Sequence, residues 1–391
     1  MCCRLDMPSL ASALRRGILA FGLLLLLLLV QETQAVQAAA APDRFERISP
    51  AEAGYDAERL QALAAFLAQA GSQSMLLLHE GRVFFEWGDV RKPLLLHSMR
   101  KAVLNALVGQ CVARGRLRLE TTLAELGIDD NAPALTAEER RATVLQLLQS
   151  RSGIYHPAAA ESAAMQAAKP PRGSHAPGTH WHYNNWDFNA AAAVLERACG
   201  PVFEVFDRDI AKTLGMLDWQ ARIGRWSEGD PEPDAAWLAR LDGFVQQEPS
   251  RSRFPAQHFR LSAHDLALYG QLYLQGGRWR GHQLLPRDWI EQSTQPVSVV
   301  QPQWGLAYGR LWDVLLPARP EDPPAFFHTG VDVHMLGVYP LQRLVMVHRV
   351  DTEAGSRFTP RDLVQVIRLM HAARRAPPPS PQPGPAAAAS R

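Results

Sequence analysis

Ser98 and Lys101 stand three residues apart at the head of HSMRKAVLNALVG (97–109), an apolar run with helical spacing. At i and i+3, two helical side chains share a face. A serine hydroxyl is a poor nucleophile until an adjacent base takes its proton. Lysine can be that base where burial and neighbouring cations push its pKa down. Arginine cannot, because it stays protonated. This chain strongly prefers arginine: its only lysines are Lys92, Lys101, Lys169 and Lys212, among 41 basic residues. A lysine directly after Arg100 therefore suggests chemistry.

Two further stretches carry groups that could complete a site. In HWHYNNWDF (180–188), the Tyr183 oxygen could relay protons to a leaving group, and Asn185 could hold Lys101 and a substrate carbonyl. In FFHTGVDVHMLGVYP (326–340), His328, Thr329 and Gly330 lie between two strand-like runs. Glycine there lets a substrate approach the strand backbone. A histidine and a hydroxyl beside it can bind a carboxylate or a carbonyl oxygen. Each stretch also has a plain structural reading. Ser98 is a good helix cap, the asparagines can cap the next helix with Trp181 and Trp186 as packing, and His328 can sit incidentally at a strand edge. Taken singly, those readings are the better ones; order and spacing favour chemistry.

The elements that must position these groups follow from periodicity. AERLQALAAFLAQA (57–70) predicts an amphipathic helix stopped by Gly71. SMLLLHEGRVFFEWG (74–88) predicts a hairpin around Glu80-Gly81. A long helix is expected from about Ser98 to Ala113. From Thr121 to about Glu291 the pattern is mostly helical, broken by Pro/Gly-rich loops. Strand character returns in WGLAYGRLWDV, AFFHTG, VHMLGVYP and RLVMVHRVD, and a last helix covers Arg361 to Arg374. Strands at both ends of the chain bury their faces most simply by pairing with each other. The expected fold is α+β: one antiparallel sheet flanked by terminal helices, with an inserted, mostly helical lobe. Ser98 falls between sheet and lobe.

Both chain ends read as lying outside that fold. Arg15-Arg16, the apolar Gly17–Val30 run with seven consecutive leucines, and QETQAVQAAAAPD predict a secretory signal peptide over 1–38. The apolar run is shorter than the roughly 20 residues of a spanning helix, so membrane contact is expected only through an uncleaved presequence. Residues 376–391, APPPSPQPGPAAAASR, cannot build a core and read as a disordered tail. The folded domain would be 43–375, exported to the periplasm or beyond. The net charge of +2, with no basic stripe carrying aromatics, excludes a nucleic-acid surface. Cys111 and Cys199 read as two free buried thiols rather than a bridge. His175, His180 and His182 could ligate a metal, but no H-E-x-x-H or comparable carboxylate spacing accompanies them, and neither metal nor cofactor is expected.

S-x-x-K, then Y-x-N, then a strand with H-T-G resembles the serine beta-lactamase and penicillin-binding-protein superfamily. The likeness is to its class C-like branch, with esterases, D-aminopeptidases and 6-aminohexanoate-dimer hydrolases. LLQSRSGIYHP resembles that branch's L-L-x-H-x-S-G segment, with Ser150 in the histidine position. HFRLSAHDLALYGQLYLQGGRWRGHQLLPRDWIEQS resembles its serine-capped helix ending in G-x-W-x-G-x-x-L-L-P. The resemblance runs from about Pro50 to Arg374. It implies Ser98 as the acylated nucleophile, Lys101 as base and Tyr183 as proton relay. It also implies Asn185 as the asparagine of the second motif, and His328-Thr329-Gly330 in place of K-T-G. The oxyanion hole would use the N–H groups of Ser98 and Val331. Histidine in place of lysine weakens the anchoring of a beta-lactam carboxylate. Cleavage of a small ester, amide or peptide is therefore expected ahead of beta-lactamase or D,D-peptidase activity. A non-catalytic binder of cell-wall peptides is the other reading.

Overall fold

In the computed structural model, residues 45–375 are described; the signal-peptide and tail expectations lie outside them. Helix α1 spans Ala57–Ala70, as the sequence pattern requires. Asp56 caps it by accepting from the Arg59 N–H, and Gly71 ends it at φ 84°, a left-handed conformation suited to glycine. The hairpin follows as β1 (Ser74–His79) and β2 (Arg82–Gly88).

Twelve further strands are β3 (Leu94–Leu95), β4 (Ile223–Ser227), β5 (Gly243–Gln247), β6 (Ala256–Leu261), β7 (Arg278–Trp279), β8 (His282–Gln283), β9 (Ser298–Gln301), β10 (Leu306–Tyr308), β11 (Asp313–Leu315), β12 (Ala325–Gly330), β13 (His334–Tyr339) and β14 (Leu344–Arg349). Eight form one antiparallel sheet in the order β2-β1-β14-β13-β12-β11-β10-β9. The N-terminal hairpin thus pairs with the C-terminal strand, Leu77 opposite Met346, as expected from strands at both ends of the chain.

Among the described residues, the other helices of ten or more residues are α2 (Arg100–Ala113), α3 (Asn185–Cys199), α4 (Ala263–Leu274) and α5 (Pro360–Ala372). Leu60, Leu63 and Leu67 of α1 pack with Val366 and Met370 of α5, and with Met75, Leu77 and Met346 of the sheet. On α4, Gly270 lies so close to Val345 and Leu336 that a Cβ would fall 2.6 Å from Val345 Cγ1. Among the described residues, no helix is long and apolar enough to cross a membrane.

Three details differ from the sequence expectation. The inserted lobe is not only helical: it carries a second sheet, β3-β6-β5-β4, in which β4 and β5 run parallel. Ser98 does not cap an α-helix; it lies in a 3-10 turn, His97–Met99, that runs directly into α2. Cys111 and Cys199 are not free thiols but a disulfide, joining the end of α2 to the end of α3. The two helices pack against each other and bring both sulfurs together across a separation of 88 residues. The bridge therefore ties the helix beginning just after Ser98 to the helix beginning just after Tyr183.

Candidate active site

The Ser98 turn is held from behind by the exit of β14. Arg349 is fully buried and donates to the carbonyls of Leu94, Leu95 and Leu261. Glu353 accepts from the Leu95 N–H at 2.6 Å and pairs with Arg260. His97, at φ 49°, bonds Thr352 Oγ1 through Nε2 at 2.8 Å. A non-glycine residue in that region is uncommon, and such conformations concentrate at sites whose surroundings hold them in place.

Within this turn, Ser98 Oγ and Lys101 Nζ are hydrogen-bonded at 2.9 Å. Lys101 is 2% exposed. Its Nζ lies 4.7 Å from the ring centroids of both Tyr183 and Phe188. Burial holds the lysine well below its ordinary pKa; the cation of Arg100 adds to the depression and Asp313 opposes it. Arg100 is itself buried and donates to Asn189 Oδ1 at 3.0 Å. Burial, with the Arg100 cation beside it, thus disfavours the charged form of Lys101. A neutral amine bonded to a serine hydroxyl can accept that hydroxyl's proton.

Tyr183 keeps its phenol proton, because burial raises its pKa, with the Ser98 side chain acting on it in the opposite direction. Its position comes from Asn184, which caps α3 by accepting from the Trp186 N–H and donates Nδ2 to the Ile154 carbonyl. Asn185 lies one residue further on, with its Nδ2 on the Ala160 carbonyl at 2.6 Å. Its Oδ1 is buried without a partner, so the expected bond to Lys101 is not made. Ser150, in the left-handed region at φ 54°, puts its hydroxyl beside Tyr308.

The H-T-G segment forms the end of β12. Gly330 sits against the Ser98 turn: a Cβ added to it would fall 2.4 Å from the Leu96 carbonyl oxygen and 3.3 Å from His97 Cβ. Only glycine fits this close approach. Val331 follows at φ 43°, with its side chain exposed. His328 is 1% exposed, and burial, with Lys101 second, lowers its pKa to about 3. It is neutral at physiological pH, a stronger departure from lysine than the residue type alone implies. The structure thus brings Ser98, Lys101, Tyr183, His328 and Gly330 to one place.

Four groups at this site have no motif of their own. Phe188 and Arg100 shape the lysine environment. Asp313, at the start of β11, is raised to about 7 by burial first and by Asp332 second, with Lys101 opposing. Both aspartates act electrostatically on Tyr183. The only sequence signal for Asp332 is its place two residues beyond Gly330. The three histidines weighed above as possible metal ligands are arranged as packed rings. His175 and His180 stack at 3.9 Å, and Tyr155 meets the rings of His175 and His182 edge-on.

The chain belongs to the beta-lactamase family, whose model, described as Beta-lactamase, matches residues 61–368. Solved structures share the fold at low identity. One is a putative 6-aminohexanoate-dimer hydrolase from Bacillus anthracis, 18% identical with a TM-score of 0.58, covering 84% of this chain and 86% of its own. A penicillin-binding-protein homologue from Caulobacter crescentus is 19% identical at TM-score 0.55, over 82% and 99%. EstCE1, a hydrolase with promiscuous acyltransferase activity, is 17% identical at TM-score 0.54, over 81% and 98%. Among curated proteins no match was found. The family and fold make the chain a hydrolase of the beta-lactamase type.

Proposed function

We propose that this hydrolase cleaves an ester or amide through an acyl-enzyme on Ser98. The observation that carries the reading is the 2.9 Å bond between Ser98 Oγ and a buried lysine whose pKa burial and Arg100 depress. Neutral Lys101 takes the Ser98 proton as Oγ attacks the substrate carbonyl carbon. The carbonyl oxygen becomes an oxyanion facing the N–H groups of Ser98 and Val331; one such donor is worth on the order of 100-fold in rate. Tyr183 passes a proton to the departing alcohol or amine as the carbon–leaving-group bond breaks, and recovers one from Lys101. Water then attacks the acyl-serine by the reverse route and releases the acid.

Neutral His328 argues against a beta-lactam or D,D-peptidase substrate, because it offers no cation to a substrate carboxylate. A binding protein without turnover would gain nothing from a buried lysine whose pKa is held down, a costly arrangement. Export to the periplasm or beyond is part of this reading. The presequence supports it, and so does the Cys111–Cys199 bridge, since disulfides persist in oxidising compartments.

The test is intact-mass analysis after treatment with a fluorophosphonate probe, alongside turnover of 4-nitrophenyl butyrate. One adduct, located on Ser98 and absent from Ser98→Ala, is expected together with hydrolysis. Equal labelling of Ser98→Ala would refute the reading. Binding of cell-wall peptides with no labelling and no turnover would favour the binding protein.

A further inference from the structure

Gly330 is not alone against the Ser98 turn. His334, the first residue of β13, stands opposite Gly330 in the ladder and is fully buried. Its ring stacks on that of His97, with centroids 5.4 Å apart and planes 27° from parallel. A Cβ on Gly330 would fall 3.2 Å from His334 Cδ2 and 3.3 Å from His97 Cβ, so both histidines border the same close approach. Thr352, three residues past the end of β14, joins them. Its Oγ1 lies 2.8 Å from His97 Nε2 and 3.4 Å from His334 Nε2. The mechanism above uses none of these three side chains.

The protons of this group can be assigned one by one. Arg349 Nε and the Val350 N–H both donate to His334 Nδ1, at 3.3 and 3.2 Å. Arginine does not give up its proton, and a backbone N–H is only a donor. His334 Nδ1 is therefore the acceptor, and the ring proton sits on Nε2, from which it reaches Thr352 Oγ1. A threonine hydroxyl has one hydrogen of its own to give. Among the described residues Oγ1 has no third partner, so that hydrogen goes to His97 Nε2, and His97 carries its proton on Nδ1. Burial keeps both rings neutral at physiological pH. It lowers His97 to about 4, with Arg349 and Lys101 adding, and His334 well below its ordinary value. The chain thus runs one way, from Arg349 through His334 and Thr352 to His97, and ends on the residue before Ser98.

We propose that Thr352 is a positioning residue: its hydroxyl links His97 to His334 and so holds the Ser98 turn in register with the end of β12, fixing the gap between the Ser98 and Val331 N–H groups. The inference rests on the serine-hydrolase reading above. Arg349 and Glu353 fasten the backbone of Leu94 and Leu95; Thr352 fastens the side chain of His97, next to the nucleophile. His97 stands at φ 49°, a conformation that persists where its surroundings hold it. Acylation and deacylation pass through the same oxyanion gap, so loosening it slows both steps alike.

Two substitutions and one spectrum test it. Thr352→Val removes the hydroxyl and keeps the shape, whereas Thr352→Ser keeps the hydroxyl. With 4-nitrophenyl butyrate, kcat of Thr352→Val should fall about tenfold while KM stays within about twofold, the effect of a displacement of a few tenths of an ångström. Its Tm should stay close to that of wild type, and Thr352→Ser should restore most of the lost kcat. Long-range proton–nitrogen NMR of the histidine side chains, assigned with His97→Asn, should place the His97 proton on Nδ1 in wild type. In Thr352→Val it should show a mixture of both tautomers, a change that lost packing would not produce. Three results overturn the positioning role: wild-type kcat in a folded Thr352→Val protein, a Thr352→Ser protein as slow as the valine variant, or a wild-type His97 proton on Nε2. The last needs neither a stable variant nor turnover. No turnover by wild type together with no labelling of Ser98 overturns the hydrolase reading itself, and the positioning role falls with it.

Discussion

Replacing Gly330 with alanine tests whether the end of β12 belongs to the reaction centre. The added Cβ would fall 2.4 Å from the Leu96 carbonyl oxygen, where real Cβ atoms stay beyond 3.0 Å. The obstacle is backbone, so no side chain can swing aside. Strand β12 is pinned by its ladder to β13, with Gly330 opposite His334. On the other side, residue 96 is anchored through its neighbours to Arg349 and Glu353. The two backbones must therefore separate by at least about 0.6 Å, and that error enters the gap between the Ser98 and Val331 N–H groups. A misplacement of 1 Å costs on the order of 100-fold in rate, so kcat/KM should fall by roughly 10- to 100-fold. Gly337→Ala, on β13, is the control. Its Cβ meets side-chain atoms, Tyr339 Cε2 at 2.9 Å and Met335 Cε at 3.2 Å, and should lower stability more than rate. The assay is kcat/KM for 4-nitrophenyl butyrate per titrated active site, with thermal melts of each variant. A folded Gly330→Ala protein within twofold of wild type would refute the placement of H-T-G at the catalytic centre.

Three other perturbations follow from the same structure. In the proposed mechanism Lys101 is the base, and burial first and Arg100 second hold its pKa down. The acid limb of kcat/KM should therefore lie far below pH 10.5, and Arg100→Met should move it to higher pH; an unmoved limb in a folded variant would count against Lys101 as the titrating base. Asp313 keeps its proton to about pH 7 when folded but releases it near 3.8 when unfolded. The stability tied to that proton is fully present below about 3.8 and is lost as pH rises towards 7, so the Tm of Asp313→Asn minus that of wild type should grow from pH 4 to 7 and then level off. Removing the bridge in Cys111→Ser/Cys199→Ser frees a loop spanning 88 residues in sequence, for which chain entropy gives about 4.5 kcal/mol. A Tm drop of roughly 6 °C is expected; an unchanged Tm, with denatured wild type titrating two more free thiols than the variant, would refute the bridge.

What the sequence made legible depended on how local each determinant is. Helix α1 is set by Asp56 at one end and Gly71 at the other, and β1–β2 by a turn at Glu80-Gly81, so both could be read directly. Strand β4 could not. IGRWS alternates no apolar residues, is largely uncovered, and becomes a strand only by pairing in parallel with β5 some 20 residues later. The disulfide was hidden for the same reason: only the packing of α2 on α3 brings Cys111 to Cys199.

The site shows the same division more sharply. Ser98, Lys101, Tyr183 and Gly330 could be picked out because each must be one residue type at one spacing. Their electrostatic setting could not, because charge in a cleft depends on burial rather than on residue type. Histidine 328 has an ordinary pKa that would leave it partly charged near neutrality; burial removes that charge. Asp313 belongs to an unremarkable WDV, yet burial raises it to about 7 within electrostatic reach of Lys101. The residues proposed to break the bond were thus visible in the sequence, whereas the charge around them appears only when β11, β12 and the Ser98 turn meet. Exchanging His328 for lysine should put a cation where burial has left a neutral ring, so a succinyl 4-nitroanilide should gain on the propionyl one. An unchanged ratio in that folded variant would mean that the acyl pocket is shaped by packing and not by charge.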